Sequence, residues 1–302
     1  MATQKIQLIM HYIEASHPML RIAFVEQTKK VLTIVKQETI RLERYQVEQG
    51  IIKDEKVLAE KVAQISSSVT GKIKDGVHIV VDSPRVLNYS VILPKMNVKK
   101  AAQMALKELE ETFPMYEEYY VVRSETTDAK EKGIFVYYEM MPKDIITSFM
   151  TISELMDKYV DSVNLGKTGL MTLHMEHELD QENLVMVYGD THFTLVGLML
   201  GNKIVETRTF YVPFTSDESL FADIGLGIRM MTGKHEFHYE RTRAKSVMVI
   251  SPDKDVKRDL ESYLSDGFAL EPVVVEDMTF KDLLEVFLKN DDYADHAFKV
   301  DV

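Results

Sequence analysis

Residues 45–60, YQVEQGIIKDEKVLAE, mark the point where the sequence changes from a strand-like to a helical pattern. Asp54 begins a run in which apolar residues recur at helical spacing behind an acidic first turn, which is typical of an amphipathic helix. Several short apolar or β-branched runs precede it, at 5–12, 20–26, 30–36 and 39–47. The sequence therefore predicts an antiparallel meander of three or four strands followed by a helix.

An inserted module is predicted after this first helix. GVHIVVD at 76–82 indicates a buried strand that completes a βββ-α-β lobe. Ser83 and Pro84 then indicate a turn. The pattern beyond them predicts a β-α-β-β module, a long helix and a strand that returns to the first lobe, at 86–93, 97–112, 118–123, 133–140, 142–160 and 171–175.

The second half of the sequence repeats the element order of the first half. A second meander is predicted from three strands, at 184–188, 194–200 and 203–211. Alternating helices and strands are predicted after it, at about 219–232, 246–250, 254–265, 271–275 and 280–289. The predicted domains are the first lobe, its insert, the return to the first lobe and the second lobe, at 1–84, 85–140, 141–176 and 177–302.

Composition and charge exclude several classes of protein. The 302 residues include 36 Lys and Arg but 48 Asp and Glu, so the net charge is −12 and a nucleic-acid binder is not expected. The absence of cysteine excludes a disulfide framework and a thiolate zinc site. No apolar run approaches the roughly 20 residues of a membrane helix, and the first residues do not resemble a signal peptide. We therefore expect a soluble, cytoplasmic protein without its own transmembrane segment.

The element order and one sequence stretch resemble a known family. Two βββ-α-β-α lobes with an insert after the late strand of the first lobe are the order of the actin-like ATPase fold. Residues 45–60 resemble the G-x-I-K-D-x-x-x-L-A stretch of PilM, the actin-like type IV pilus assembly family. The cytoplasmic domain of the type II secretion protein GspL is similar in the same terms. The resemblance implies an α/β, actin-like (ribonuclease H-like) two-lobed fold with a small β-α-β-β insert in the first lobe.

ATPases of this fold hold the nucleotide phosphates and Mg²⁺ between two hairpins, each with an acidic-x-Gly turn. In the first hairpin the resemblance aligns Glu14, Ser16 and Arg21 with the D-x-G-x-x-x-x-K pattern, so serine replaces the glycine. In the second hairpin Val187 stands at the acidic position, although Gly189 is kept. The degenerate nucleotide-cleft candidates are Glu14, Ser16, Arg21, Gly189, Asp190 and Thr191.

A third nucleotide-binding element of the family is also weakened. A glycine pair normally follows the late strand of the second lobe, whereas this sequence has ISPD at 250–253. Because all three elements depart from the pattern, we predict a pseudo-ATPase for which no cofactor is expected. The alternative is a genuine ATP-binding or ATP-hydrolysing actin-like or sugar-kinase-like protein, with Mg²⁺ near Glu14 and with Glu14 and Asp190 as a pair of carboxylates in the cleft.

The resemblance also implies partners and a place of action. The predicted function is a non-catalytic scaffold of a type IV pilus, competence or type II secretion-like machine. It would bind a PilN-like cytoplasmic segment of an inner-membrane assembly protein and, as a second partner, a motor ATPase, and would be recruited to the inner face of the membrane. By position alone, the candidates for the partner groove are Ser83, Arg85, Val86, Tyr89 and Val91.

Two further motifs carry little weight as sites. His174 with His177, and His235 with His238, have the spacing of metal ligands on one helix face, but neither pair has a third ligand at a diagnostic spacing. NLGKTG at 164–169 contains the G-K-T of a P-loop but lacks the glycine that must stand five residues before Lys167. Neither a metal site nor a P-loop is therefore expected.

Overall fold

Three sheets and one short hairpin form the framework of the described part of the protein. The structure is a computed structural model. It describes residues 5–14, 17–27, 32–128, 133–166, 183–189, 193–200, 203–210, 212–236, 244–251 and 253–273.

The secondary structure follows the chain in this order. The first half contains β1 (Lys5–Ile13), β2 (Met19–Gln27), β3 (Leu32–Arg41), β4 (Val47–Glu48), β5 (Ile51–Ile52), α1 (Glu55–Ser67), β6 (Lys72–Asp82), β7 (Leu87–Leu93), α2 (Val98–Thr112), α3 (Tyr116–Tyr119), β8 (Tyr120–Asp128), β9 (Ile134–Pro142), α4 (Lys143–Leu155) and β10 (Tyr159–Leu165). The second half contains β11 (Asn183–Gly189), β12 (Thr194–Leu200), β13 (Lys203–Phe210), α5 (Glu218–Glu236), β14 (Ser246–Ile250), α6 (Lys254–Phe268) and β15 (Glu271–Pro272).

The two large sheets have the same topology. In the first, the strand order is β10-β6-β1-β2-β3, with β1, β2 and β3 antiparallel and with β6 and β10 parallel to β1. In the second, the order is β13-β12-β11-β14-β15, again with an antiparallel meander and two parallel strands. The repetition of element order predicted from the sequence is therefore present as a repetition of topology.

Each large sheet packs against helices through an apolar face. Leu8, Met10 and Tyr12 on β1 point into the core that α1 and α4 cover, because alternate residues of a strand face the same side. In the second lobe Val185 and Val187 on β11 do the same under α5 and α6. Each lobe therefore has its own apolar core between its sheet and its helices.

The insert is a three-stranded sheet of order β7-β9-β8 whose two faces meet different partners. Val91 and Val136 belong to a core beneath α2. Phe135 and Tyr137, on the opposite face, belong to the core of the second lobe, and Ile92 packs against it. The insert therefore connects the two lobes in addition to extending the first.

Helix α2 begins as its sequence predicts. The Asn97 side chain accepts hydrogen bonds from the backbone amides of Lys99 and Lys100, at 3.0 and 3.4 Å. An Asn at this position satisfies amides that have no partner within the helix. Ala101, Ala105 and Leu109 are buried at helical spacing, so the helix packs through one narrow stripe of its surface.

The helix predicted over 142–160 is wrong at its end. Helix α4 ends at Leu155, and Asp157 has a left-handed backbone with φ of 57°. The chain then enters β10, which is the strand that returns to the first sheet. Tyr159 fits the helical spacing by coincidence, since its side chain is 60% exposed. The strand predicted at 171–175 and the helix predicted at 280–289 lie outside the described residues.

The runs at 30–36 and 39–47 contribute one long strand, so the meander has three of the three or four strands predicted. Strand β3 continues through the polar residues Lys36, Gln37 and Glu38. It is the outermost strand of its sheet, so one edge and much of its surface are open to solvent. Polar side chains are common on such edge strands because they discourage pairing with other chains.

Gly133 is expected to tolerate no side chain. Its φ is +100°, and a Cβ atom would overlap the carbonyl oxygen of Leu93. Gly133→Ala should therefore lower the free energy of unfolding by about 2 kcal/mol. Apart from the backbone of α6 itself, no atom lies within 4 Å of the position that a Cβ on Gly267 would take, so Gly267→Ala should be neutral or stabilise by about 0.5 to 1 kcal/mol. Urea unfolding measures both, and equal effects would contradict this account of Gly133.

Candidate functional site

The first side of the interlobe cleft is built where β1 and β6 end. The backbone amide of Glu14 donates to the carbonyl of Asp82 at 2.8 Å. The Ser83 hydroxyl donates to the Glu14 carboxylate. Glu14 also lies beside the turn between β4 and β5, where a Cβ on Gly50 would be 2.6 Å from Glu14 Oε2. The carboxylate of Glu14 is therefore held by the protein itself.

Arg85 ties the chain leaving β6 to the first lobe. Its guanidinium donates to the carbonyl of Gln49 at 2.6 Å and to the carboxylate of Asp144 at 2.7 Å. The backbone amide of Arg85 donates to the Ser83 hydroxyl at 3.1 Å. The turn from Ser83 to Arg85, which links β6 to the insert, is thus held at both ends by hydrogen bonds.

A buried ionisable pair lies on the neighbouring side of the first sheet. His11 Nε2 is 2.6 Å from Asp82 Oδ2, and these residues are 1% and 7% exposed. Arg21 lies opposite His11 in the β1–β2 register and is 6% exposed. A side chain at Gly166 would overlap the Asp82 carboxylate, so the backbone there approaches this group closely. The pair is enclosed on several sides.

An aromatic ring from the second lobe lies against this pair. Phe193, directly before β12, is 2% exposed. Its ring meets His11 edge-on with centroids 6.4 Å apart and lies tilted on Tyr188 at 5.6 Å. The two lobes therefore contact each other through an apolar side chain next to the hairpin of the second lobe.

The second hairpin departs from the nucleotide pattern in its packing. Val187 is fully buried in the core of the second lobe, at the position where a carboxylate would be expected. The ring of Phe214 covers Gly189 so closely that no side chain would fit there. Ser16, Asp190 and Thr191, which were predicted for this cleft, lie outside the described residues.

Residues after β14 cap a helix. The Asp253 carboxylate accepts hydrogen bonds from the amides of Asp255 and Val256, both at 3.1 Å. The Ser251 hydroxyl accepts from the amide of Asp253 at 3.1 Å. The amides at the start of α6, which could otherwise bind an anion, are therefore occupied by a carboxylate of the protein.

A cavity of about 290 Å³ opens between the lobes beside this region. Asn88 and Thr207 join its two walls through a hydrogen bond of 3.0 Å. The cavity is lined by both polar and apolar side chains. Its lining residues are Val81, Asp82, Ser83, Pro84, Val86, Asn88, Leu165, Leu195, Thr207, Arg208, Thr209 and Phe210.

The predicted groove residues divide between two environments. Ser83 and Val86 line the interlobe cavity. Tyr89 and Val91 face α2 within the insert, where the Tyr89 hydroxyl donates to Glu108 at 2.9 Å and Val91 is 4% exposed. Arg85 lies at the junction between the insert and the first lobe. The five candidates therefore do not form one continuous surface.

A second buried charge network was missed by the sequence reasoning. Arg123 on β8 forms an ion pair with Glu139 on β9, and Glu139 is only 1% exposed. The Tyr137 hydroxyl donates to Asn88 at 2.9 Å and lies 3.3 Å from the Glu139 carboxylate. Burial raises the pKa of Tyr137 well above its usual value, and the charge of Glu139 adds to this shift. This ion pair could have been predicted only from the strand register, which sets Arg123 opposite Glu139.

The described part of the chain offers neither a cluster of metal ligands nor a helix suited to a membrane. No group of three or more His, Cys, Asp or Glu side chains suited to a metal occurs among those residues. Of the predicted histidine pairs, His174, His177 and His238 lie outside the described residues, and His235 is in the last turn of α5. None of the helices described is both long and apolar enough to cross a membrane.

Solved structures share this fold. A PilM–PilN type IV pilus biogenesis complex matches with a TM-score of 0.62 and 16% identity, over 89% of this chain and 88% of that chain. The cytoplasmic domain of EpsL, an inner membrane component of the type II secretion system of Vibrio cholerae, matches with a TM-score of 0.51 and 9% identity, over 94% and 96%. No protein-family model and no curated protein matches the sequence. The predicted two-lobed actin-like fold and the resemblance to these two proteins are thereby confirmed.

Proposed function

We propose that this chain is a non-catalytic, actin-like scaffold of a type IV pilus, competence or type II secretion-like assembly machine. The observation that carries the proposal is the match to the PilM–PilN complex over nearly the whole chain. The scaffold would act at the cytoplasmic side of the inner membrane. There it would hold the cytoplasmic segment of an inner-membrane assembly protein, with a motor ATPase as a second partner.

Contacts of carboxylates in the first lobe support the proposed absence of nucleotide chemistry. On this side of the cleft the Glu14 carboxylate accepts a hydrogen bond from Ser83, and the Asp82 carboxylate is bound to His11. A nucleotide site of this fold needs free backbone amides and a carboxylate open to the metal. These contacts of the described residues favour a scaffold over a Mg-nucleotide site.

The second lobe supports the same conclusion. The aromatic ring of Phe193 fills space between the lobes. A ring offers no hydrogen-bond donors, which the charged phosphates of a nucleotide would need there. Val187 places an apolar side chain at the acidic position, and Asp253 occupies the helix amides after β14. At the three determinants of the family, the described residues thus make contacts within the protein, which supports the proposal.

Partner binding is proposed at the cavity beside the linker. Val86 lies at its wall and is partly exposed, and Asn88 and Thr207 supply polar groups from both lobes. Backbone and side-chain groups of this kind suit an extended peptide, which needs hydrogen bonds along its main chain and pockets for alternate side chains. The cavity is also continuous with Ser83, a predicted groove residue.

Binding of the partner segment is expected to depend on Val86. A labelled synthetic peptide with the sequence of the PilN-like cytoplasmic segment should bind the wild-type chain in fluorescence anisotropy. Val86→Asp should weaken binding by at least about tenfold, since it places a charge against an apolar side chain of the peptide. Val212→Asp is the matched control, because Val212 is exposed on the second lobe and lies outside the cavity.

Circular dichroism shows whether each variant is folded, and Val86→Ala provides a milder change if Val86→Asp is not. A folded wild-type chain that fails to bind the peptide would contradict the scaffold function. Equal weakening by Val86→Asp and Val212→Asp would contradict the cavity as the binding site.

A further inference from the structure

The outer surface of the insert carries an unbalanced concentration of acidic residues. Between positions 108 and 119 the sequence contains five Glu and no Lys or Arg. All five are exposed, and none forms an ion pair within the part of the chain that the structure describes. We call residues 108–119, together with Tyr89 and Tyr138, the acidic-aromatic surface.

Two large apolar side chains project from this surface. Met115 and Tyr119 are 59% and 60% exposed. Met115 adopts a left-handed backbone, with φ of 63°, between α2 and α3. This conformation is unfavourable for a methionine, so its position is imposed by the surrounding fold. Exposed apolar groups rimmed by charge are typical of sites that bind other proteins.

Tyrosine hydroxyls lie behind the carboxylates. Tyr89 and Tyr138 are directly opposite each other on β7 and β9. The Tyr89 hydroxyl donates to Glu108 at 2.9 Å, and the Tyr116 hydroxyl lies 3.3 Å from the carboxylate of Glu117. Tyr138 is only 3% exposed as a whole residue, yet its hydroxyl has no hydrogen-bond partner among the residues described. The side chain is buried but its hydroxyl reaches solvent, so the hydroxyl is available to a ligand.

The electrostatic environment of Tyr138 favours cations. Burial raises the pKa of Tyr138 to about 12, and Tyr116, Glu108, Glu110 and Tyr89 add to the shift in that order. Burial also raises the pKa of Tyr89 and of Tyr116, and nearby glutamates contribute in both cases. Carboxylates beside aromatic rings bind the ammonium of Lys or the guanidinium of Arg through charged hydrogen bonds and the ring faces.

We infer that the acidic-aromatic surface docks a basic amphipathic segment of a partner protein. One Lys or Arg side chain would approach the Tyr138 hydroxyl and the carboxylates of Glu108 and Glu110. The apolar residues of the segment would cover Met115 and Tyr119. The charge excludes an anionic membrane and a nucleic acid as occupants, since both would be repelled.

This surface is separate from the interlobe cavity. Helix α2 covers one face of the insert sheet, and the second lobe covers the other, so the two regions lie on opposite sides of that sheet. The inference therefore does not depend on the function proposed above. A chain that fails to bind the PilN-like peptide could still bind a basic segment here.

The probe is a fluorescent helical peptide of Lys, Leu and Ala, with Lys and Leu on opposite faces. The control peptide has Glu in place of every Lys. Fluorescence anisotropy should show binding of the Lys peptide that weakens as salt is added, and no binding of the Glu peptide. Absence of binding by the folded wild-type chain at low salt would overturn the inference.

Matched variants separate a specific surface from general attraction to an acidic protein. The triple variant Glu108→Gln, Glu110→Gln and Glu111→Gln should bind the Lys peptide about tenfold more weakly. The triple variant Glu55→Gln, Glu60→Gln and Glu154→Gln has the same net charge, but its substitutions lie on the first lobe, and its affinity should stay within about twofold. Equal weakening in both triple variants would overturn the inference.

Tyr138→Phe tests the hydroxyl of Tyr138 alone. The ring and its packing are kept, so the variant should fold, and loss of one hydrogen bond to a cation should weaken binding by about three- to tenfold. Unchanged affinity of Tyr138→Phe would exclude this hydroxyl from the site and so contradict the inferred seat of the basic side chain.

Discussion

Arg123→Met is expected to lower the free energy of unfolding by about 3 to 5 kcal/mol. Glu139 is 1% exposed, and the Arg123 guanidinium is paired with its carboxylate. The substitution takes the positive charge away while the carboxylate stays buried, where a charge is poorly solvated. The network also reaches Tyr137, which joins the insert to the core of the second lobe. Urea unfolding near neutral pH measures the loss.

Two controls make this prediction specific. Arg258→Met removes an arginine that is 71% exposed and pairs with Asp255 on the surface of α6, so its cost should be within about 0.5 kcal/mol. The double variant Arg123→Met with Glu139→Met should recover part of the stability, because no buried charge is left. A loss below about 1 kcal/mol for Arg123→Met alone would show that the ion pair does not hold the insert in place.

Phe193→Ala is expected to cost about 3 to 4 kcal/mol. The ring of Phe193 is buried against His11 of the first lobe and Tyr188 of the second, so truncation leaves a cavity at the contact between the lobes. The loss should appear as a lower urea midpoint with little change in the slope of the transition.

Phe113→Ala is the matched control for Phe193. Phe113 lies at the end of α2, is only partly buried and packs edge-on against Tyr89 with centroids 5.5 Å apart. Its truncation should cost less than about half as much, because solvent can fill the space. Equal costs for the two substitutions would mean that Phe193 has no special part in joining the lobes.

The elements with strong local signals could be predicted from the sequence. Helix α2 has an Asn cap and a narrow apolar stripe, both of which depend only on neighbours along the chain. Helix α1 likewise follows from the apolar spacing after Asp54. Strand β10 could not be predicted, because the left-handed turn at Asp157 that separates it from α4 has no glycine to indicate it.

The candidate site was predictable only in part. Glu14 was a candidate from its sequence position at the end of β1, but its contact with Ser83 depends on how β1 and β6 pair in parallel. The ion pair of Arg123 and Glu139 likewise depends on the register of β8 and β9. A one-residue change of register would move each of these side chains to the other face of its sheet. Sequence patterns do not fix register between distant strands.

The stretch that suggested the family has a physical explanation in the fold. Gly50 has a positive φ of 80°, and its lack of a side chain leaves room for the Glu14 carboxylate. Ile52, two residues later, is 2% exposed and anchors the hairpin of β4 and β5 in the first core. Residues 45–60 therefore fit this arrangement because they place a hairpin over the end of β1.

Thermal unfolding with and without millimolar Mg-ATP or Mg-ADP tests the central claim, that the cleft of this actin-like protein no longer serves a nucleotide. A ligand at 100 times its dissociation constant stabilises by about 2.7 kcal/mol, which raises Tm by several degrees in a protein of this size. The account predicts a shift below about 1 °C with either nucleotide. A shift of several degrees that disappears in Glu14→Ala would contradict it and establish the cleft as a working nucleotide site.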